Sequence, residues 1–133
     1  SSDLPPSFNL KSMRFIKWTK HTEVNDLMQI NVGIMPLPDN VWTRSKCGFK
    51  ALQYMALGIP AVVSDVGVNA EIVDHEVNGC VCRTHEDWYL YLSKLMTDKN
   101  YLLHLSAKTR NKIISHYSVQ SNKENFIRLF NFN

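Results

Sequence analysis

The chain reads as a parallel α/β protein, and three observations lead there. Short apolar runs alternate with helical patterns along its length, and glycines and polar loops mark the changes of period. The stretch from Ile30 to Ser64 runs in the order strand, loop, helix, strand. Strands joined by helix-length connections pair in parallel through right-handed crossovers.

Taken in order, residues 13–18 predict a first strand and residues 22–28 a short helix. Residues 30–35 predict a strand that stops at a polar loop holding Asp39, Asn40, Arg44, Ser45 and Lys46. Residues 49–57 follow as a helix closed by Gly58, then residues 59–64 as a strand in which Pro60 is tolerated only at the beginning. Asn69 suits an N-cap for a short helix through Val73. Asn78-Gly79 predicts a turn, and Val81 begins a small strand. Thr84 and Asp87 have capping-box spacing ahead of the apolar stripe Trp88, Leu92 and Leu95. Residues 100–116 continue as a helix. Ser121 and Glu124 repeat the capping-box spacing before a last helix with Phe126, Ile127 and Phe130 on one face. With about three or four strands legible, the sheet is expected to keep an open edge, a site for association with another chain.

At 133 residues, with 44% hydrophobic and 20% charged residues, one domain spanning residues 1–133 with a sizeable core is expected. No apolar run approaches the ~20 residues that span a bilayer. The opening Ser-Ser-Asp-Leu-Pro-Pro lacks the charged and apolar regions of a leader, so a cytoplasmic location is expected. The net charge of +3 suits a phosphate-bearing ligand or an anionic membrane surface, while the spread of basic residues along the chain argues against nucleic acid. Cys47, Cys80 and Cys82 are an odd set, and a C-x-C pair on one face of a short strand has poor disulfide geometry, so reduced packing thiols are expected. The five histidines are scattered without ligand spacing, so no metal is expected. No G-x-S-x-G, Walker A or G-x-G-x-x-G occurs, which removes the hydrolase, P-loop and ordinary dinucleotide readings.

The chemistry concentrates at the start of the helix over residues 49–57. A glycine at a helix mouth lets an anion approach backbone N–H groups, and the helix dipole favours negative charge there. Gly48 takes that position, and Arg44, Lys46 and Lys50 bring positive charge around it. Gln53, one turn after Phe49, is placed on the same side of the helix.

These residues resemble a known family. KCGFKALQYMALGIPAVVS is similar to the loop-and-helix block, E-x-F-G followed by E-A-M-A-x-G-x-P-V-V, of the large retaining family four of GT-B glycosyltransferases. VGVNAEIVDHEVNGCVC resembles that family's x-G-x-x-E-I-V-x-x-x-x-N-G block, and HEDWYLYLSKLMTD the helix after it. The likeness runs from about residue 12 to 130 and points to the C-terminal nucleotide-sugar-binding domain, a partial Rossmann-like parallel sheet with flanking helices. It implies transfer of a sugar from a nucleotide diphosphate donor to an acceptor hydroxyl, with retention and without a bound metal or other cofactor. The setting it implies is surface polysaccharide or lipopolysaccharide synthesis. The acceptor glycan, free or lipid-linked, would come from a second domain, with peripheral membrane contact in the whole enzyme and no turnover by this chain alone.

The resemblance places donor contacts at Ser45, Lys46, Cys47, Gly48, Phe49 and Gln53. Two of these depart from the family. Ser45 and Gln53 stand where it carries glutamates near the donor sugar and the ribose, and an uncharged amide is a weaker acceptor than a carboxylate. No residue is assigned a catalytic role. Loss of both carboxylates leaves a second reading, a degenerate non-catalytic binding or interaction module. Trp18 and Thr19 fall where the family holds the base, although core packing suits Trp18 better. Gly67, Val68, Asn69 and Glu71 read as a second loop at the same crevice. The open edge and the Phe126, Ile127 and Phe130 face predict self-association.

Overall fold

A three-stranded parallel sheet with helices on both faces organises the larger part of the structure, a computed structural model that describes residues 11–130. The opening residues 1–6, on which the expectation of no leader rests, lie outside the described residues. The chain divides into two compact units, Ser1–Ile30 and Asn31–Asn133.

In the first unit, helix α1 (Glu23–Leu27) follows a threonine turn. The Thr19 and Thr22 hydroxyls lie 2.6 Å apart, and Glu23 N–H donates to the Thr19 carbonyl at 3.0 Å. Residues 13–18 form no strand, against the sequence expectation. Their β-forming residues lack a pairing partner among the described residues of this unit, and a strand without a ladder is not stable in water. Trp18 is 52% exposed, which corrects its assignment to a core.

The second unit runs β1 (Gly33–Met35), α2 (Val41–Arg44), α3 (Phe49–Ala56), β2 (Ala61–Ser64), α4 (Asn69–Ile72), β3 (Gly79–Cys82), α5 (His85–Thr97) and α6 (Lys99–Lys112). A π-helical turn (Ile113–Tyr117) and α7 (Val119–Arg128) complete it. The strand order is β1-β2-β3, and Gly33, Ala61 and Gly79 lie side by side across the sheet. The period of two then sorts the core. Ala61 and Val63 join Met35, Ala51, Met55, Ile72 and Val73 on one face, while Val62, Cys80 and Cys82 join Leu95 and Leu105 on the other. Burial of both faces explains why the central strand reads as the unbroken apolar run Ala61-Val62-Val63. Pro60 sits just before β2, where its carbonyl accepts from Gly33 N–H at 3.0 Å.

The helix caps are mostly local. Thr84 and Asp87 form the expected capping box of α5, and Asp98 caps α6 by accepting from Tyr101 N–H at 2.9 Å. Two caps differ from expectation. Val68, rather than Asn69, takes the N-cap position of α4. Asn69 is buried instead as the first helical residue, and its amide donates to the Ser64 carbonyl at 3.0 Å. The last helix opens at Ser118, whose box partner is Ser121. The helix over residues 100–116 becomes π-helical at Ile113 and runs on to Tyr117, so Ser118 follows it directly and caps α7. β1 pairs with β2 on one side and, among the described residues of this unit, with no strand on the other. No helix among the described residues is long and apolar enough to cross a membrane.

Candidate functional site

In a parallel sheet all strands end on the same side, and the loops that leave those ends are where an α/β fold binds ligands. Here those loops are tied together. Asp39, after β1, accepts from Arg44 Nε at 2.5 Å and Nη2 at 2.9 Å. Hydrogen bonding to the guanidinium holds the Asp39 carboxyl below its ordinary range. Thr43 is buried between them and donates its hydroxyl to the Pro38 carbonyl, while its N–H donates to Asn40 Oδ1 at 2.9 Å. Gly67, in the loop after β2, adopts φ +59°, and a Cβ there would lie 2.8 Å from the Arg44 carbonyl oxygen. The loop after β2 is thus packed directly onto the backbone that leads into α3.

Gly48 is the N-cap of α3 and holds φ +65°, a left-handed conformation that favours glycine. It is buried, and a Cβ would meet Ile72 Cδ1 at 2.3 Å. The glycine therefore serves close packing of α4 against the mouth of α3, a requirement that the anion argument did not include. Phe49 is 59% exposed, and Gln53, half-buried, shares its side of α3, away from the buried pair Ala51 and Met55. Ser45, Lys46 and Cys47 are exposed in the turn before Gly48. The Ser45 hydroxyl donates back to the Val41 carbonyl at 3.0 Å, and Lys46 N–H donates to the Thr43 carbonyl at 3.1 Å. Structure therefore gathers Ser45 through Phe49 at one helix mouth, with Gln53 one turn along.

A second feature escaped the sequence analysis. Beside the α2 loop opens a cleft of about 680 Å³ at the ends of all three strands. Asp39, Ser64, Asp65, Arg83, His85 and Trp88 line it, and none of the six residues assigned from the family resemblance does. Arg83, directly after β3, donates through Nε to Asp65 Oδ2, directly after β2, at 2.7 Å. The Ser64 hydroxyl accepts from Leu37 N–H at 2.8 Å, joining the exits of β1 and β2. The available signal was position: each of the latter two charges immediately follows an apolar strand.

The remaining candidates are structural. His75 Nδ1 accepts from Val81 N–H at 3.0 Å and its Nε2 lies 3.0 Å from the Tyr91 hydroxyl, so the ring covers the outer edge of β3. Cys47, Cys80 and Cys82 are free thiols, the last two buried. Among the described residues no three His, Cys, Asp or Glu side chains gather to hold a metal ion.

The model of the family described as glycosyl transferases group 1 matches residues 7–113. Among solved structures, a sucrose-phosphate synthase from Thermosynechococcus elongatus superposes with a TM-score of 0.67 at 16% identity, over 88% of this chain and 29% of that one. A crystal structure of TarM superposes with a TM-score of 0.51 at 25% identity, over 64% of this chain and 18% of that one. The chain thus spans less than a third of the length of either. No curated protein matches it. The parallel sheet, the glycine-opened α3 and a family match over most of the sequence converge: the chain belongs to the group 1 glycosyl transferases and carries a C-terminal, Rossmann-like part of their GT-B fold.

Proposed function

We propose that this chain is the donor-binding part of a glycosyltransferase that moves a sugar from a nucleotide diphosphate to an acceptor hydroxyl. One observation carries the reading: a buried left-handed Gly48 opens α3 at the carboxyl side of a parallel sheet, with Lys46 and Lys50 beside it. The first N–H groups of a helix have no carbonyl partner within it. Those of α3 would stabilise the charge that a diphosphate leaving group gains as the glycosidic bond breaks, an effect worth about 3 kcal/mol per donor in comparable oxyanion sites. Gln53 would accept from a ribose hydroxyl through its amide oxygen, which is buried in this structure and has to turn outward to do so. Retention of configuration without a bound metal, a cytoplasmic setting at a membrane surface and a polysaccharide or lipid-linked acceptor belong to the same proposal, with residues 1–133 forming one partial domain. The acceptor comes from another domain, so the chain alone binds nucleotide without transferring sugar.

Calorimetric titration with UDP, GDP and ADP tests this directly. Binding of about −4 to −8 kcal/mol is expected for one base, lost in the double variant Lys46→Ala with Gln53→Ala. Equal binding by that variant places the nucleotide elsewhere, and sugar transfer by the chain alone contradicts the division of labour.

One observation favours a second reading, a degenerate interaction module. Ser45, at a position where the family carries a glutamate, turns its hydroxyl back onto the Val41 carbonyl. On that reading the β1 edge and the exposed Phe126 and Phe130, whose rings lie 5.1 Å apart, support self-association. Absence of nucleotide binding, together with a concentration-dependent dimer weakened by Phe126→Ser, would decide for it.

A further inference from the structure

The outer edge of β3 is closed rung by rung. Asp65 N–H donates to the Cys82 carbonyl at 2.9 Å on the β2 side, so by the alternation of the ladder Gly79, Val81 and Arg83 turn their backbone groups outward. Each of the three is met. The Gly79 carbonyl accepts from Glu76 N–H at 2.8 Å, Val81 N–H donates to His75 Nδ1 at 3.0 Å, and Arg83 N–H donates to Asp87 Oδ2 at 2.8 Å. The turn that brings Glu76 and His75 to this edge is strained: Glu76 holds φ +58°, a left-handed backbone that is unfavourable for a residue with a side chain. Its carboxylate is held by Lys94 Nζ at 3.2 Å and by the Tyr101 hydroxyl at 3.3 Å.

We propose that His75 is an acid-sensitive lock on the β3 edge, closed while the imidazole is neutral and opened at Val81 when it takes up a second proton. A neutral imidazole accepts at one nitrogen and donates at the other. Acceptance from Val81 N–H at Nδ1 therefore places the ring proton on Nε2, which lies 3.0 Å from the Tyr91 hydroxyl. In the imidazolium both nitrogens donate, so a proton on Nδ1 would face the Val81 N–H and the contact turns from attractive to repulsive.

The surroundings give the charged ring somewhere to go. Asp74 and Glu76 flank it on its own loop, Arg83 follows β3, and Asp87, Tyr91 and Lys94 come from α5, while Lys112 of α6 holds Asp74 at 2.8 Å. An opening of about 250 Å³ beside the ring, lined by Asp74, Arg83, Asp87 and Tyr91, leaves room for it to turn. The hydrogen bond from Lys94 lowers Glu76, and the backbone N–H groups of Arg83 and Thr84 lower Asp87, so both remain carboxylates for the imidazolium at pH 5.5. Burial raises Tyr91, which stays neutral. His75 is exposed, and an imidazole changes charge between pH 5 and 8. Its protonation frees one outward N–H of an edge strand, the group that an added strand pairs with, while the contacts at Gly79 and Arg83 on either side stay closed.

NMR of the full chain between pH 7.5 and 5.5 tests this with two readouts, the ring nitrogen shifts of His75 and amide hydrogen exchange. The expected ring at pH 7.5 carries its proton on Nε2. As His75 titrates, protection of the Val81 amide, corrected for intrinsic exchange, should fall about tenfold, while the Glu76 and Arg83 amides and the melting temperature hold. His75→Asn offers Oδ1 in place of Nδ1 and should protect Val81 equally at both pH values, whereas His75→Ala should leave it unprotected at both. A proton on Nδ1 at pH 7.5, Val81 protection that does not change as His75 titrates, or the same acid response in His75→Asn overturns the lock. The first two outcomes need no variant to fold, and the third assigns the response to another histidine.

Discussion

Gly48 packs directly against the buried Ile72: a Cβ on Gly48 would lie 2.3 Å from Ile72 Cδ1, so a side chain there requires the Ile72 side chain to shift. The mouth of α3 is in this way locked to α4, the helix that follows the loop after β2.

Gly48→Ala therefore meets two penalties together. Left-handed backbone costs a non-glycine residue about 1–2 kcal/mol, and overpacking of a fitted interior costs about 1–3 kcal/mol. A loss of about 2–4 kcal/mol is expected by urea unfolding, with any nucleotide affinity falling as the mouth distorts. A loss below about 1 kcal/mol would mean that α4 yields without cost, and the lock would be disproved.

The cysteines should divide sharply by reactivity. Burial pushes the Cys82 thiol up to about 12, helped by the nearby Cys80 and Asp87, and burial raises Cys80 as well. Thiolate is the reacting form, so both stay inert while the chain is folded. Cys47 is exposed in the turn before α3. Iodoacetamide at pH 8 should label one site quickly and the other two only after denaturation, as read by mass spectrometry. Fast labelling of more than one site would contradict the packing of β3.

Acid should weaken the fold through its carboxylates. The hydrogen bond from Lys94 lowers Glu76, the one from Arg44 lowers Asp39, and backbone N–H groups of Arg83 and Thr84 lower Asp87. A group lowered in the folded state contributes stability above its unfolded value, about 4 for carboxylates, and loses it as pH falls through the folded value. The melting temperature should hold from pH 7 to 5 and drop below pH 4. Glu76→Gln should lower it at pH 7 and flatten the acid limb. The groups are exposed, so each effect is small. A melting temperature that rises on acidification would reverse the assigned signs.

Features set by neighbours in sequence were legible. Thr84 with Asp87 was readable as a cap because both partners lie within one turn, and α3 was readable from its apolar period and its flanking glycines. Ser118 and Ser121 show the limit of such reading. Both are serines ahead of a helix, and the choice depended on the π-helical turn that ends just before Ser118. Asn69 looked like a cap because asparagine prefers that role, but it enters one position later, as the buried first residue of α4, with its amide nitrogen donating to the Ser64 carbonyl. Residues 13–18 carried β-forming residues without a partner, and propensity cannot supply a ladder.

The sequence by itself determined the parallel α/β class, the strand-loop-helix unit around Gly48 and membership of the group 1 glycosyl transferases, because each rests on short-range pattern. Tertiary structure alone decided that Asp39, Asp65, Arg83 and Trp88 share one cleft. These residues sit on three separate connections, and no local pattern links them. They meet because parallel strands deliver their carboxyl ends to one edge of the sheet, and the register of β1, β2 and β3 sets which residue emerges at each end.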